Sequence, residues 1–112
     1  MSTPANKLTA DLLIAIPKRF PQVRVWKNEP VKAEITRPDG TKRWLKAGIV
    51  GQADICGICG PRGMMVQIEV KAGKDQMSEP QKNFRNMIVD AGGLYLIARS
   101  VDQCLEDLGR WV

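Results

Sequence analysis

Residues 51–73 read GQADICGICGPRGMMVQIEVKAG. Two runs, GQADICGICG and MMVQIEVKAG, flank the turn-forming Gly60-Pro61-Arg62-Gly63, so the stretch reads as a β-hairpin. On the second strand Met64, Val66, Ile68 and Val70 share one face, and Met65, Gln67, Glu69 and Lys71 share the other. With an even-numbered connection, residue 54 falls opposite residue 69 and sets Asp54 against Glu69. A three-residue loop would put the two on opposite faces. Opposed like charges are unfavourable on a sheet. Two carboxylates this close call for a cation, and oxygen donors without histidine or thiolate suit Mg²⁺ or Mn²⁺. The plainer alternative is a solvated sheet face, with Glu69 paired to Lys71 and Asp54 near an edge.

Downstream, SEPQKNFRNMIVDAGG predicts a helix. Ser78 is a good N-cap, Gln81 follows at capping-box spacing, and Gly92-Gly93 ends the helix. Gln81, Phe84, Ile88 and Ala91 fall on one face with Met87 beside them, whereas Lys82, Arg85, Asn86 and Asp90 fall outside. Gln81 therefore starts the inward stripe at the helix N-terminus and is placed to do more than cap. Leu94 to Ala98 reads as a short buried strand. SVDQCLEDLGRW reads as a last helix, with Val101, Cys104, Leu105 and Leu108 inward.

Upstream, Leu8, Leu12, Leu13 and Ile16 follow helical spacing and predict a helix over about 7–17, ended near Pro17. FPQVRVWKN predicts a strand. In VKAEITRPDGTKRWLKAG, Pro38-Asp39-Gly40 is a tight-turn signature between alternating flanks, a second hairpin. From Lys18 to Lys46 there are nine basic and three acidic residues, a net of +6 within a chain of +5. Concentrated positive charge suits a polyanion, because each neutralised phosphate releases counterions. The element order predicts an α/β fold, a mixed sheet flanked by helices with a basic β-hairpin.

The 112 residues suit one domain, 1–112, with a single modest core. No apolar run approaches the roughly 18 residues of a membrane-spanning helix. The opening MSTPANKLTADLLIAI lacks the order of a signal peptide, so a cytoplasmic location with no membrane partner is expected. Cys56 and Cys59 have the spacing of half a zinc site. There is no histidine and only Cys104 besides, and on one strand the pair would point to opposite faces, so they read as small buried residues.

Asp54, then Glu69-Val70-Lys71, then Ser78 and Gln81 together resemble the PD-(D/E)xK nuclease superfamily. More closely, the chain resembles the small stand-alone VRR-NUC domains of phages and bacteria, over about Gly48 to Leu108. The Gly-x-x-Asp, Glu-x-Lys and Ser-x-x-Gln elements occur in the family's order, and Trp26-Lys27-Asn28 resembles its Trp-Arg-Asn-like strand. Members often carry a metal-site glutamate in the first helix, where the only acid here is Asp11.

The resemblance implies a restriction-endonuclease-like fold and metal-assisted hydrolysis of DNA phosphodiesters. Asp54, Glu69 and the backbone carbonyl of Val70 would hold Mg²⁺ or Mn²⁺, Lys71 would serve the nucleophile and the phosphate, and Gln81 would position water or phosphate. It further implies a homodimer that cuts branched DNA, including four-way (Holliday) junctions. Alternatives are a nuclease preferring flaps, nicks or linear ends, and a non-catalytic DNA-binding module on the same fold. Lys27, Lys32, Arg37, Lys42, Arg43, Lys46, Lys74, Lys82 and Arg85 are the candidate DNA contacts. With few aromatics for stacking, contact with a duplex backbone is the expected mode.

Overall fold

The computed structural model describes residues 3–30, 32–46 and 48–112, with Lys32, Leu45 and Lys46 described in backbone only. Helix α1 spans Pro4–Arg19, and strands β1 (Val23–Lys27), β2 (Lys32–Thr36), β3 (Lys42–Lys46), β4 (Ile55–Cys59) and β5 (Met64–Val70) follow. Helix α2 (Glu79–Asp90), strand β6 (Leu94–Ala98) and helix α3 (Val101–Gly109) complete the chain. Four strands form a mixed sheet in the order β1-β4-β5-β6, and β2 and β3 pair separately. The β1–β4 and β4–β5 pairs are antiparallel. The β5–β6 pair is parallel, and α2 makes the crossover that a parallel neighbour requires. The architecture is thus mixed α/β, a mixed sheet flanked by helices. Among the described residues no helix is long and apolar enough to cross a membrane.

The alternation along β5 divides the molecule into layers. Val66, Ile68 and Val70 join Ile55, Val23, Leu94 and Ala98 against Leu12 and Ile16 of α1, its cap Phe20, and Cys104 and Leu108 of α3. On the opposite face a smaller cluster, Ala53, Phe84 and Ile88 with Tyr95 packed on it, seats α2. β5 is therefore covered on both sides, and residues 66–70 are all buried. This is why polar Gln67 and Glu69 lie out of solvent. Cys56 and Cys59 are both buried free thiols. Cys59 belongs to the large core, whereas Cys56 meets the side chain of Gln67 on the other face.

The first helix departs from expectation. It begins at Pro4 behind the cap Thr3 and continues through Pro17 to Arg19. Pro17 removes one intrahelical bond. The Phe20 N–H still reaches the Ile16 carbonyl at 2.8 Å, and both side chains are buried in the core, so packing outweighs the local break. Lys18 and Arg19 in the last turn also suit the negative end of the helix dipole.

Helix α2 ends as its glycines predict. Gly92 has φ +88, its N–H bonds the Val89 carbonyl, and the Gly93 N–H bonds the Ile88 carbonyl. That is a Schellman arrangement. On α3, Cys104 and Leu108 are fully buried and Val101 and Leu105 pack beside them, as the inward stripe requires.

Candidate active site

The β4–β5 connection holds four residues, and the register pairs Ile55 with Ile68 and Cys59 with Met64. Extended by one residue, it sets Asp54 opposite Glu69, the arrangement the even-numbered loop predicts. Asp54 sits at the mouth of β4, where its carbonyl accepts from the Asn28 N–H at 2.8 Å. Its carboxylate Oδ2 accepts from the Val70 backbone N–H at 2.9 Å. The N–H and C=O of one strand residue point to the same edge, so the Val70 carbonyl also faces the Asp54 side. Asp54 and Glu69 are thus held by backbone geometry rather than by flexible loops.

Glu69 is only 4% exposed. Its Oε1 accepts from Gln81 Nε2 at 3.1 Å and lies 3.8 Å from Lys71 Nζ. Its Oε2 is buried with no hydrogen-bond partner among the described residues. Burial pushes the Glu69 carboxyl up to about 8. The nearby Asp54 charge adds to the rise, and Lys71 opposes it. In the bare protein Glu69 therefore favours its protonated form far more than a solvated glutamate does.

Gln81 performs two tasks at once. Its Oε1 accepts from the Ser78 N–H at 2.9 Å, while the Ser78 hydroxyl accepts from the Gln81 N–H at 3.3 Å. That closes the capping box and leaves Nε2 free to reach Glu69. The cap fixes the side chain that serves the carboxylate.

Gly51 explains how the loop before Asp54 meets this helix. It has φ +82, and a Cβ there would stand 2.2 Å from the Pro80 carbonyl oxygen and 2.8 Å from the Gln81 nitrogen. Only glycine permits this approach. The first position of the Gly-x-x-Asp element is therefore a contact between the Asp54 loop and the N-terminus of α2. A cavity of about 210 Å³ borders the same loop, lined by Asn28, Pro30 and residues 48–52.

Two further residues belong to this region. Tyr95 lies opposite Gln67 in the β5–β6 register and stacks edge-on against Phe84 with ring centroids 6.3 Å apart. Its hydroxyl is buried without a hydrogen-bond partner among the described residues. Burial raises its pKa, and the charges of Glu69 and Asp54 raise it further. A tyrosine inside an apolar strand was the available signal, since a buried phenol ordinarily finds a partner. Arg99 donates to the carbonyls of Gly73 and Asp75, both at 2.9 Å, and so pins the loop that follows Lys71.

The remaining candidates are spread widely. Asp11 is ion-paired with Lys7 at 2.9 Å. Lys27 lies 3.8 Å from Glu29, Lys42 lies 3.2 Å from Glu34 and Lys82 lies 3.4 Å from Glu79. Arg85, expected to face outward, is partly covered and donates to the Met77 sulfur. Lys74, Arg37 and Arg43 are exposed. The side chains of Lys32 and Lys46 lie outside the described residues.

Among the described residues no group of three or more histidine, cysteine, aspartate or glutamate side chains is gathered. Asp54 and Glu69 are a two-carboxylate set. With an orphaned carboxylate oxygen and hard oxygen donors only, they fit a cation such as Mg²⁺, which retains most of its own waters. Comparison with family models, with curated proteins and with solved structures finds no match to the chain.

Proposed function

We propose that the chain is a Mg²⁺- or Mn²⁺-dependent DNA endonuclease of the PD-(D/E)xK type, with a restriction-endonuclease-like fold and closest in kind to the stand-alone VRR-NUC domains. The observation that carries the reading is Glu69. It is a buried carboxylate held up to about 8, opposed by Asp54, with one oxygen engaged by Gln81 and the other orphaned. A solvated sheet face would let Glu69 pair with Lys71 in water; here the pair is buried, and burying a carboxylate with one oxygen unmatched is costly. A site that exchanges a proton for a cation gives a reason for that cost.

Asp54 and Glu69 would hold the cation, with the Val70 carbonyl on the same edge of the strand. When bound, the ion would offset their charge, polarise a phosphodiester oxygen and lower the pKa of a water. Lys71, itself mostly covered at 13% side-chain exposure, brings a positive charge to the carboxylates and to any phosphate beside them. Gln81 fixes the orientation of Glu69, and the first N–H groups of α2 favour an approaching anion. Symmetric cutting of a four-way junction needs two such sites, which a twofold dimer supplies. Branched DNA cut by a homodimer is accordingly the proposed substrate and assembly.

The test is cleavage of labelled four-way, flap and linear duplex DNA with Mg²⁺, Mn²⁺ or chelator, repeated with Glu69→Ala and Lys71→Ala. Metal-dependent cutting that both substitutions reduce by about 100-fold or more is expected. No cutting with either metal, or equal cutting by the variants, sinks the nuclease reading and leaves a non-catalytic DNA-binding module. Cutting of flaps or ends with four-way junctions left intact moves the preference to those substrates.

A further inference from the structure

The β2–β3 pair forms a two-stranded sheet of its own, and the whole chain measures 54 × 36 × 26 Å. Its radius of gyration is 16.0 Å, against about 13 Å for a compact chain of this length. The ribbon tip is built by the Arg37–Gly40 turn. The Gly40 N–H bonds the Arg37 carbonyl at 2.9 Å, and Asp39 accepts from both the N–H and the hydroxyl of Thr41.

In this ribbon Glu34 pairs with Trp44 and Thr36 pairs with Lys42. These four share one face, and Trp44 is 71% exposed. Lys42 is matched to Glu34 at 3.2 Å. Exposed Arg37 and Arg43 form no ion pair among the described residues, and the register, which pairs Arg43 with Ile35, sets Arg43 on the reverse face from Trp44.

A bare indole is a large apolar surface that calls for a cover. Protein interfaces seal such an anchor among apolar neighbours and are poor in lysine and glutamate. The neighbours of Trp44 on its face are lysine, glutamate and threonine, which suit a charged partner instead. A nucleobase covers an indole by stacking, and its flanking phosphates meet arginine. In a continuous duplex the base faces are already stacked. Single-stranded tails, flaps and frayed ends leave them open.

We infer that Trp44 stacks on unpaired bases of DNA, with Arg37 at the ribbon tip and Arg43 on its reverse face meeting phosphates of the strand as it passes the ribbon edge, so that the β2–β3 ribbon recognises the single-stranded part of a tailed or flapped substrate. The inference rests on the DNA-directed part of the proposed function and needs no catalysis. It replaces the expectation of contact with a duplex backbone alone.

The test is equilibrium binding of the full chain, in chelator, to three labelled DNAs: a continuous duplex, the same duplex with a single-stranded tail, and the tail strand alone. Trp44→Ala is expected to weaken binding to the tailed and single-stranded probes by about tenfold or more and to leave duplex binding within about twofold. Trp44→Phe keeps a stacking ring and is expected to retain most of the affinity, which separates stacking from any effect on ribbon folding. Unchanged affinity of Trp44→Ala for the tailed probe, an equal loss on all three probes, or no wild-type binding overturns the inference. A chain that binds tails through Trp44 but never cuts keeps this inference and loses the nuclease reading. Metal-dependent cutting that is indifferent to Trp44→Ala, with unchanged tail binding, does the reverse.

Discussion

Glu69 ties the chemistry of the site to the stability of the molecule. Its carboxyl stands at about 8 in the folded chain against 4.5 for the free side chain. Below about 4.5 both states are protonated and the burial costs nothing extra. As pH rises from there to about 8, the unfolded chain releases its proton and the folded one retains it. Stability is lost across that window. The full loss is on the order of 4 to 5 kcal/mol, a large share of a small domain's stability. Glu69→Gln is expected to remove this slope and to be more stable than wild type at about pH 8.5, in denaturant titrations over about pH 5 to 9. Excess Mg²⁺ is expected to flatten the wild-type slope, since a cation that binds only the folded pair stabilises it. Parallel stability profiles for wild type and Glu69→Gln would remove the buried-acid account.

At the scale of elements, the site is a junction between the loop that ends β4's approach and the first turn of α2. Gly51 permits the contact by its positive φ and missing Cβ. Gly51→Ala would force backbone against backbone, and is expected to cost about 2 kcal/mol or more. In a thermal melt that is a fall of about 8 °C or more. A melting temperature within about 2 °C of wild type would mean that the loop and helix are not so closely apposed. Much of this assembly is legible in the sequence. The alternation of β4 and β5 and the Ser78–Gln81 spacing are local patterns that single out Asp54, Glu69 and Gln81, whereas the loop length that opposes Asp54 to Glu69 and the reach of Gln81 to Glu69 are settled only in the fold. Gly51's role is not legible, because its partner at Pro80 is distant in sequence and close only after folding. The continuation of α1 past Pro17 escapes for a related reason: the burial of Ile16 and Phe20 that sustains it is tertiary.

At the scale of the whole molecule, the charge map counts for less than its sum. The segment from Lys18 to Lys46 carries +6, yet Lys27 and Lys42 already have acidic neighbours. Arg37 and Arg43 are exposed and form no ion pair among the described residues. If DNA binding follows counterion release, each free cation that meets a phosphate contributes about 0.9 to the slope of log affinity against log salt. Arg37→Ala and Arg43→Ala are each expected to reduce the slope by about that amount on branched DNA, and Lys42→Ala by visibly less. Equal effects of all three, measured between about 50 and 200 mM salt, would show that the Lys42–Glu34 pair opens on binding. Such distinctions could not be read from composition, because which cations are already matched depends on the cross-strand register.

One atom of Gln81 sets a constraint on the chain. A capping box closes equally well with glutamate or glutamine, since either offers an oxygen to the cap N–H. Here the second terminal atom of that side chain must be a donor, for it meets Glu69 Oε1. Glutamate would satisfy the helix and set a third carboxylate against a pair in which Glu69 already favours its protonated form. The isostere that helix stability alone would accept is thereby barred, and the choice of amide over acid at this position is made by the neighbouring strand.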